Sequence, residues 1–318
     1  MLTLPPWLGR AEPELVRDYL DPAEEPRTRN FAAALERCVG AGRTIEVHDT
    51  HNSVSAIAGV EKLAWDSEHF GIGCARLAPV CVSPGLFAEQ RLAAVAQIVD
   101  AAMAWCREHE LSVLQRRVVG ARGDEVRILE DRGFRLMDSI VTFTAQAKVA
   151  GEITSVRSVR TEDHTALLDI ARDAFPHSRF LADPVFDPAK ARAVYVRWLQ
   201  TLLSGHASGD KSGAGGDVLV AEDAGKAVGF LSIRRDQNLE ALTGRIVMPI
   251  EMIAVAGDKR GQGIGGRLLD AACSWAAQHG AELVEASTWT ASMDIRKFYQ
   301  RAGFVMRDVL FTLHGRVS

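Results

Sequence analysis

The stretch from Asp258 to Arg267 reads DKRGQGIGGR and holds four glycines in ten residues. It follows the apolar run 245–255, which predicts a strand, and leads into 268–277, which predicts a helix. A glycine-rich turn between a strand and a helix makes an anion site, because unpaired backbone N–H groups and the helix dipole point at one spot. Glycine also lets the backbone approach a phosphate without a Cβ in the way. The stretch therefore predicts an α/β unit that binds a phosphorylated ligand.

Two common phosphate motifs fit this turn poorly. A P-loop would end in Gly-Lys-Ser or Gly-Lys-Thr, and a dinucleotide fingerprint normally lies in a repeated βαβ sheet. Arg260, Gly263 and Gly265 instead match the pattern Arg-x-x-Gly-x-Gly, which resembles the pyrophosphate-binding signature of the GNAT superfamily of acyl-CoA N-acyltransferases. Downstream, a predicted strand at 281–287 and a predicted helix at 292–301 lead into FYQRAGF, which resembles the GNAT element beside the cofactor's thioester.

Length and composition set the limits on function. At 318 residues, 47% apolar and 25% charged, the chain is long enough for two globular domains. The net charge of −4 argues against a nucleic-acid partner. No apolar run approaches the roughly 20 residues of a membrane span, and the N-terminus lacks a secretory signal, so we expect a cytoplasmic protein without a membrane partner. The five cysteines lack metal-like spacing, which indicates free thiols and neither disulfide nor metal.

The chain contains an internal duplication. Residues 105–143 align without a gap on residues 275–313. The matched pairs include Trp105 with Trp275, His109 with His279, and Gly133 with Gly303. The first copy lacks the glycine-rich turn and carries Leu129 where the second carries Tyr299. The first copy is therefore expected to be degenerate, with a structural role, and the second to be catalytic.

The predicted organisation is a pair of tandem GNAT-like domains of α/β (α+β) class, each with a mixed, mostly antiparallel sheet flanked by helices. We predict an N-terminal appendage over 1–43, a degenerate GNAT-like domain over 44–147 and a catalytic GNAT domain over 152–318. A strand at 152–160 opens the second domain, and the Gly- and Ser-rich tract 204–216 is predicted as a flexible loop.

Two further segments narrow the resemblance. Residues 63–71 read LAWDSEHFG and residues 174–180 read AFPHSRF. Together they resemble the bacterial dTDP-4-amino-4,6-dideoxygalactose (dTDP-fucosamine) N-acetyltransferases, which also join a degenerate GNAT-like domain to an active one. This resemblance implies acetyl-CoA as acyl donor and no metal. It implies a small-molecule amine as acceptor and, more specifically, the amine of a nucleotide sugar.

The same resemblance implies roles for individual residues. Tyr299 would protonate or hydrogen-bond the departing thiolate, because its ordinary pKa of about 10 lies above the roughly 8.5 of a thiol and keeps the hydroxyl protonated at neutral pH. Glu251, on the strand before the glycine turn, is the candidate base, with His177 as runner-up. The residues expected to bind the donor are Ile253, Ala254, Val255, Arg260, Gly261, Gln262, Gly263, Ile264, Gly265, Gly266 and Arg267. Those expected to bind the acceptor are His177, Ser178, Arg179 and Phe180, because the Arg179 fork matches a diphosphate.

Several alternatives stay open at this stage. Tyr299 can be a core residue packed with Phe298, Glu251 can be an ordinary strand glutamate, and 178–180 can anchor the fold. The acceptor can be another amine, such as an antibiotic amino sugar, an amino acid or a peptide N-terminus. A non-catalytic acyl-CoA-binding sensor is a third possibility. The sequence also leaves open whether the chain forms a homodimer.

Overall fold

The computed structural model describes residues 4–11, 24–149, 151, 155–207 and 216–317. The strands are β1 (Gly42–His48), β2 (Val54–Lys62), β3 (Cys74–Val82), β4 (Val113–Val119), β5 (Phe134–Gln146), β6 (Val156–Ser158), β7 (Asp217–Asp223), β8 (Lys226–Ile233), β9 (Val247–Val255), β10 (Leu283–Trp289) and β11 (Val305–Arg316). The helices are α1 (Glu24–Ala41), α2 (Ala64–Phe70), α3 (Ala88–Glu108), α4 (Asp124–Glu130), α5 (His164–Ala174), α6 (Arg179–Ala182), α7 (Pro188–Ala207), α8 (Gln237–Thr243), α9 (Ile264–Gln278) and α10 (Met293–Arg301).

The chain divides into two compact units. The first comprises residues 1–140 and 308–318, and the second comprises residues 141–307. Most of β11 thus belongs to the first unit, although the rest of its sequence copy belongs to the second. The division into 1–43, 44–147 and 152–318 stays a prediction about domains. Its proposed N-terminal appendage contains α1, which lies in the first unit.

The first unit is a sheet of order β1-β2-β3-β4-β11 with helices packed on it. Only the pair β3/β4 is parallel; β1/β2, β2/β3 and β4/β11 are antiparallel. Helix α3 buries Val95, Ile98 and Trp105 in the main core of this unit. Helix α1 packs through Phe31 and Leu35 in a separate buried cluster. Burial of these apolar faces, rather than helix propensity, holds the helices to the sheet.

The second unit is a sheet of order β5-β10-β9-β8-β7-β6, to which β5 contributes residues 141–146. Strands β6 to β9 pair antiparallel in sequence, and β9 pairs parallel with β10. Helices α9 and α10 pack into one buried cluster with Met248 and Ile250. Helices α5 and α7 pack into another with Met252 and Ala254. The mixed, mostly antiparallel sheet flanked by helices is as the sequence predicts.

The duplication is visible in local geometry. Strands β4 and β10 begin 170 residues apart, as do the matched tryptophans that precede them. His109 Nδ1 lies 2.8 Å from the Trp105 carbonyl oxygen, and His279 Nδ1 lies 2.8 Å from that of Trp275. In both copies the imidazole also packs on the indole ring one helical turn earlier. Helices α3 and α9 therefore end with the same local structure in the two copies.

Several predicted boundaries differ from the structure. Helix α9 begins at Ile264 rather than at 268, because Gly263 takes a left-handed conformation as N-cap and the next two glycines join the first turn. Helix α8 was not predicted. Strand β6 is shorter than the predicted 152–160, of which residues 152–154 lie outside the described residues. The predicted flexible loop also falls mainly outside them, at 208–215. Among the described residues, no helix is long and apolar enough to cross a membrane.

Candidate functional site

Strands β9 and β10 pair only over their first parts. Parallel pairing runs from Val247 opposite Leu283 to Ile250 opposite Ala286, and no further pair joins these two fully described strands. The remaining residues 251–255 of β9 therefore have no partner strand on the β10 side. An opening in the sheet begins directly after Ile250.

A β-bulge marks the start of this opening. Met252 lies opposite Ser232 in β8, whereas Ile250 lies opposite Ile233, so Glu251 is one residue more than β8 matches. A bulge bends its strand and redirects the side chain at that point. The side chains before and after it accordingly enter different cores, with Ile250 packed with α9 and Met252 packed with α5 and α7. Glu251 thus lies where β9 departs from regular pairing.

The backbone of β9 beyond the bulge presents hydrogen-bonding groups to the opening. Ala256 donates its N–H to the Val228 carbonyl oxygen at 2.9 Å, so the alternating register turns the backbone groups of Ala254 towards β8 as well. Ile253 and Val255 turn theirs to the other side. Of the three residues expected to bind the donor here, Ile253 and Val255 can therefore offer backbone groups, whereas those of Ala254 serve β8.

The glycine-rich turn follows β9 and ends in the N-terminus of α9. Within the described part of the chain, the backbone N–H groups of residues 261–266 meet no hydrogen-bond acceptor. Gly261 and Gly263 both have φ of +77°, a conformation that other residues rarely adopt. An added Cβ at Gly261 or Gly266 would meet no atom within 4 Å. These free donors, with the helix dipole behind them, suit a pyrophosphate.

Side chains brace this turn. Arg260 donates from Nε to the Val255 carbonyl oxygen at 3.1 Å, and Arg267 donates from Nη1 to the Gln262 carbonyl oxygen at 3.4 Å. Gln262 in turn donates from Nε2 to the Asp258 carbonyl oxygen at 3.2 Å. Both arginines are exposed, so their remaining N–H groups face solvent beside the free backbone donors.

Two of the predicted donor-binding residues also serve packing. The Ile264 side chain is buried in the core under α9. Gly265 lies so close to Phe298 that an added Cβ would approach its ring to 3.1 Å. The glycine at this position therefore permits close packing of α9 against α10, in addition to any contact of its N–H group.

Glu251 is engaged by a neighbouring cation. Arg234 donates from Nε to Glu251 Oε1 at 3.0 Å, and the side chains are 38% and 15% exposed, respectively. Arg234 follows β8 directly, and its backbone N–H bonds to the Pro249 carbonyl oxygen at 3.2 Å. The glutamate is thus a half-buried, ion-paired carboxylate, and its role as base stays a prediction.

Tyr299 lies in the core of the second unit. Its side chain is 2% exposed. The ring stacks on Phe143 at 5.5 Å and packs against Phe298 and Phe304 at 5.3 and 5.4 Å. Burial raises the pKa of the Tyr299 hydroxyl above its ordinary value, so the group holds its proton throughout the neutral range. The ring has the packing role that the sequence left open, and the role of its hydroxyl as acid stays a prediction.

The four predicted acceptor residues lie between α5 and the start of α6. Ser178 Oγ caps α6 by accepting from the Leu181 N–H at 3.1 Å. Phe180 is buried, and the Arg179 guanidinium lies 4.2 Å above its ring. Arg179 Nε is buried without a hydrogen-bond partner among the described residues. His177 is exposed and packs on the Trp289 ring with centroids 4.6 Å apart.

The corresponding opening in the first unit has the same backbone form. Strand β3 pairs parallel with β4 from Cys74 opposite Val113 to Leu77 opposite Arg116, again over four residues. An irregularity in the pairing of β3 with β2 follows at once, between Leu77 and Val80. The first unit therefore repeats the divergence of strands that creates the opening in the second.

Charged side chains fill that first opening. Arg116 donates from Nε to Glu125 Oε1 at 2.8 Å, and Arg122 Nη2 lies 2.9 Å from Glu125 Oε2, with all three side chains at most 3% exposed. Arg122 also donates from Nη1 to the Val80 carbonyl oxygen at 3.1 Å, and Arg116 donates from Nη1 to that of Leu77 at 3.4 Å. Two guanidinium groups thus take up the backbone acceptors of β3.

The second copy lacks these charges. At the matched positions it carries Ala286, Ser292 and Ile295 in place of Arg116, Arg122 and Glu125. Val80 lies three residues past the last parallel pair, as Ile253 does in the second copy. The same backbone position is thus satisfied by an arginine in one unit and left to another partner in the other.

Sequence reasoning missed two residues of this site, Arg234 and Trp289. Neither lies in a motif, and each meets its partner through a contact distant in sequence. The one available signal was for Trp289, since the matched residue in the first copy is the small Val119.

Comparisons with known proteins agree with this geometry. Residues 214–306 match the family model described as "Acetyltransferase (GNAT) domain". The chain is 24% identical over 260 residues to the dTDP-fucosamine acetyltransferase of Escherichia coli O6:H1 (strain CFT073), which covers 81% of this chain and 98% of that protein.

Two solved structures share the fold. A GCN5-related N-acetyltransferase from Sphaerobacter thermophilus is 16% identical with a TM-score of 0.59, over 96% of this chain and 90% of that one. A tandem GNAT protein from the clavulanic acid biosynthesis pathway is 15% identical with a TM-score of 0.50, over 85% and 81%. At this identity the likeness concerns the fold alone.

Proposed function

We propose that this chain, which carries a GNAT acetyltransferase domain and is an enzyme, moves an acetyl group from acetyl-CoA to the amine of a nucleotide-linked amino sugar. The amine nitrogen attacks the thioester carbonyl directly. The N–C bond forms and the C–S bond breaks. The nitrogen loses both protons that an amide does not keep, one before attack and one to water after it, and the CoA thiolate takes up one proton. The observation that carries this proposal is the opening between β9 and β10 beside a turn whose N–H groups at 261–266 meet no acceptor among the described residues.

The donor fits the second unit at two places. The N–H groups of residues 261–266, with Arg260 and Arg267 beside them, suit the pyrophosphate of a CoA. The backbone edge at Ile253 and Val255, where among the described residues only the Val255 carbonyl already accepts a hydrogen bond, from Arg260, suits the amide groups of a pantetheine arm, which would pair with it as an added strand does. Bound acetyl-CoA would supply the activated acyl group. Holding it beside an amine can contribute about 7–11 kcal/mol to lowering the barrier.

The proposed acid and base complete the reaction. Glu251, beside the start of the opening, would take a proton from the ammonium group of the acceptor, directly or through a water. Arg234 holds one oxygen of this carboxylate and leaves the other without a protein partner among the described residues. Tyr299 would donate a hydrogen bond or its proton to the leaving thiolate, and its raised pKa means that the hydroxyl still carries the proton at neutral pH.

The test is turnover with a defined acceptor. The protein is incubated with acetyl-CoA and dTDP-4-amino-4,6-dideoxygalactose, and release of free thiol is followed in parallel for wild type and Tyr299→Phe. We expect release with the wild type, slowed about 10²-fold or more in the variant. Equal acetyl-CoA affinity in both proteins would show that the loss lies in chemistry. Unchanged turnover in Tyr299→Phe would remove the assigned acid, and no turnover by wild type would remove the acceptor.

A second candidate is acetylation of a different small amine. The observation that favours it is the position of Arg179, whose guanidinium lies on its own neighbour Phe180. A cation engaged in this way does not present its full fork to a diphosphate. Turnover of an amino acid or an unlinked amino sugar at a higher kcat/KM than the nucleotide sugar would support this candidate.

A further inference from the structure

Trp289 is a large, partly exposed aromatic side chain at the end of β10. It is 36% exposed, and its ring packs against the exposed His177, with centroids 4.6 Å apart and planes at 40°. His177 lies between α5 and α6, far from Trp289 in sequence. The imidazole contact leaves part of the indole open to solvent. An indole ring held by a second element and still exposed is suited to stacking on a ligand ring.

The position of Trp289 relates it to the proposed reaction. Ser287 follows the last residue of β10 that pairs with β9, as Glu251 follows the last such residue of β9. The parallel register therefore puts Ser287 near the level of Glu251. Trp289 is two residues further along and on the same face of the strand, which is a rise of about 6.6 Å. Measured along β10, Trp289 therefore lies beyond the level of Glu251 by about the width of one six-membered ring.

Core packing does not account for an indole at this position. The matched residue of the first copy is Val119, which is only 3% exposed at the end of β4. In the second copy the larger side chain extends outward instead. The unit with the buried valine has its opening filled by charged side chains, whereas the unit with the exposed tryptophan has an opening without them.

We infer that Trp289, held in place by His177, is the surface on which the pyranose ring of the acceptor stacks. This inference rests on the proposed function. The pyranose is favoured over the nucleobase because the ring that carries the amine must lie next to Glu251, whereas the base is separated from it by the diphosphate. The apolar face of a pyranose fits the electron-rich face of an indole.

The first test separates acceptor binding from the other kinetic steps. Steady-state kinetics with dTDP-4-amino-4,6-dideoxygalactose are measured for wild type, Trp289→Ala and Trp289→Phe. In Trp289→Ala we expect the acceptor KM to rise about tenfold and the KM for acetyl-CoA to stay within twofold. Trp289→Phe should recover most of the loss. Trp275→Phe is the matched control. Trp275 also packs on a histidine, but both residues of this pair belong to the C-terminal end of α9 and not to the opening.

The second test measures binding without turnover. Quenching of intrinsic tryptophan fluorescence is titrated with the nucleotide sugar, with the unlinked amino sugar and with dTDP. We expect quenching by both sugars that is lost in Trp289→Phe and kept in Trp275→Phe. Quenching by dTDP as strong as that by the nucleotide sugar would assign the ring to the nucleobase and overturn the inference.

The outcomes for the inference and for the proposed function can be told apart. Turnover with an acceptor KM unchanged in Trp289→Ala would keep the reaction and overturn the stacking role. Quenching by sugars that depends on Trp289, without any turnover, would keep the stacking role and remove the proposed reaction. His177→Ala should weaken sugar binding less than Trp289→Ala, since His177 acts through the indole.

Discussion

Arg234 Nε and Glu251 Oε1 lie 3.0 Å apart, beside the β-bulge where β9 departs from regular pairing. This contact fixes one oxygen of Glu251, which is the only carboxylate among the described residues of β9 and lies at the start of the opening. It also makes Arg234 a candidate for positioning Glu251. The pair is partly exposed, so it contributes little to folding stability, and its main effect is to hold the Glu251 carboxylate in position.

Removal of the Glu251 carboxylate is expected to lower kcat/KM for the acceptor. In Glu251→Gln we expect a loss of about 10²-fold or more, because a positioned general base contributes about 10²–10⁴-fold. Arg234→Met should lose less and lower kcat rather than raise the KM for acetyl-CoA, and Arg234→Lys should recover part of it. The matched control is Glu240→Gln, which breaks the neighbouring ion pair with Arg235. Equal losses in Glu251→Gln and Glu240→Gln would argue against the base.

Tyr299 is expected to make folding sensitive to alkaline pH. Burial raises the pKa of its hydroxyl in the folded state above the value of about 10 in the unfolded chain. Below pH 10 both states hold the proton, so this residue adds no pH dependence. Above pH 10 the unfolded chain releases the proton first, and stability falls as pH rises. Urea unfolding at pH 8 and pH 11 should show a larger drop for wild type than for Tyr299→Phe. Parallel drops would contradict this account.

A methyl group is expected to be tolerated just before the glycine turn but not within it. Gly263→Ala forces a non-glycine residue to φ of +77°, at a cost of about 1–2 kcal/mol, and should raise the KM for acetyl-CoA. Gly257→Ala is the control, because its added Cβ meets no atom within 4 Å and its φ is not positive. Isothermal titration with acetyl-CoA checks both variants. Equal affinity in the two would show that the turn does not contact the donor.

The buried cluster of Arg116, Arg122 and Glu125 is expected to stabilise the first unit without binding a ligand. Glu125→Gln leaves two buried guanidinium groups without their counter-charge, which should cost about 3–5 kcal/mol of unfolding free energy. Glu130→Gln, an exposed change on the same helix, should cost little. Chemical denaturation measures both. Acetyl-CoA should bind once per chain in the wild type, and a second site would contradict the filled opening.

The same cluster predicts a response to acid. Burial opposes ionisation of Glu125, but Arg116 and Arg122 outweigh it and hold its pKa below the ordinary value. The stability that this group contributes is therefore complete above about pH 4.5 and is lost as pH falls towards the lowered pKa. Between pH 6 and pH 3, wild type should lose more stability than Glu125→Gln.

The fold class, the duplication and the position of the glycine-rich turn could be predicted from the sequence, whereas anion binding by that turn stays a prediction. These predictions depend on patterns of nearby residues. The patterns are the glycines from Gly261 to Gly266, the alternation of apolar residues in β9, and the matched tryptophans and histidines of the two copies. Such features depend on backbone conformation and periodicity, which act over a few residues and can be read from any segment alone.

Which side chains meet could not be predicted from the sequence and became known from the folded chain. It brought Arg234 to Glu251 and His177 to Trp289, packed Tyr299 among three phenylalanines, and filled the first opening with Arg116, Arg122 and Glu125. It also assigned most of the last strand to the unit of the first copy. The physical reason is that these contacts follow from where strands pair and where pairing ends. That depends on all the strands of a sheet together, and no single segment encodes it.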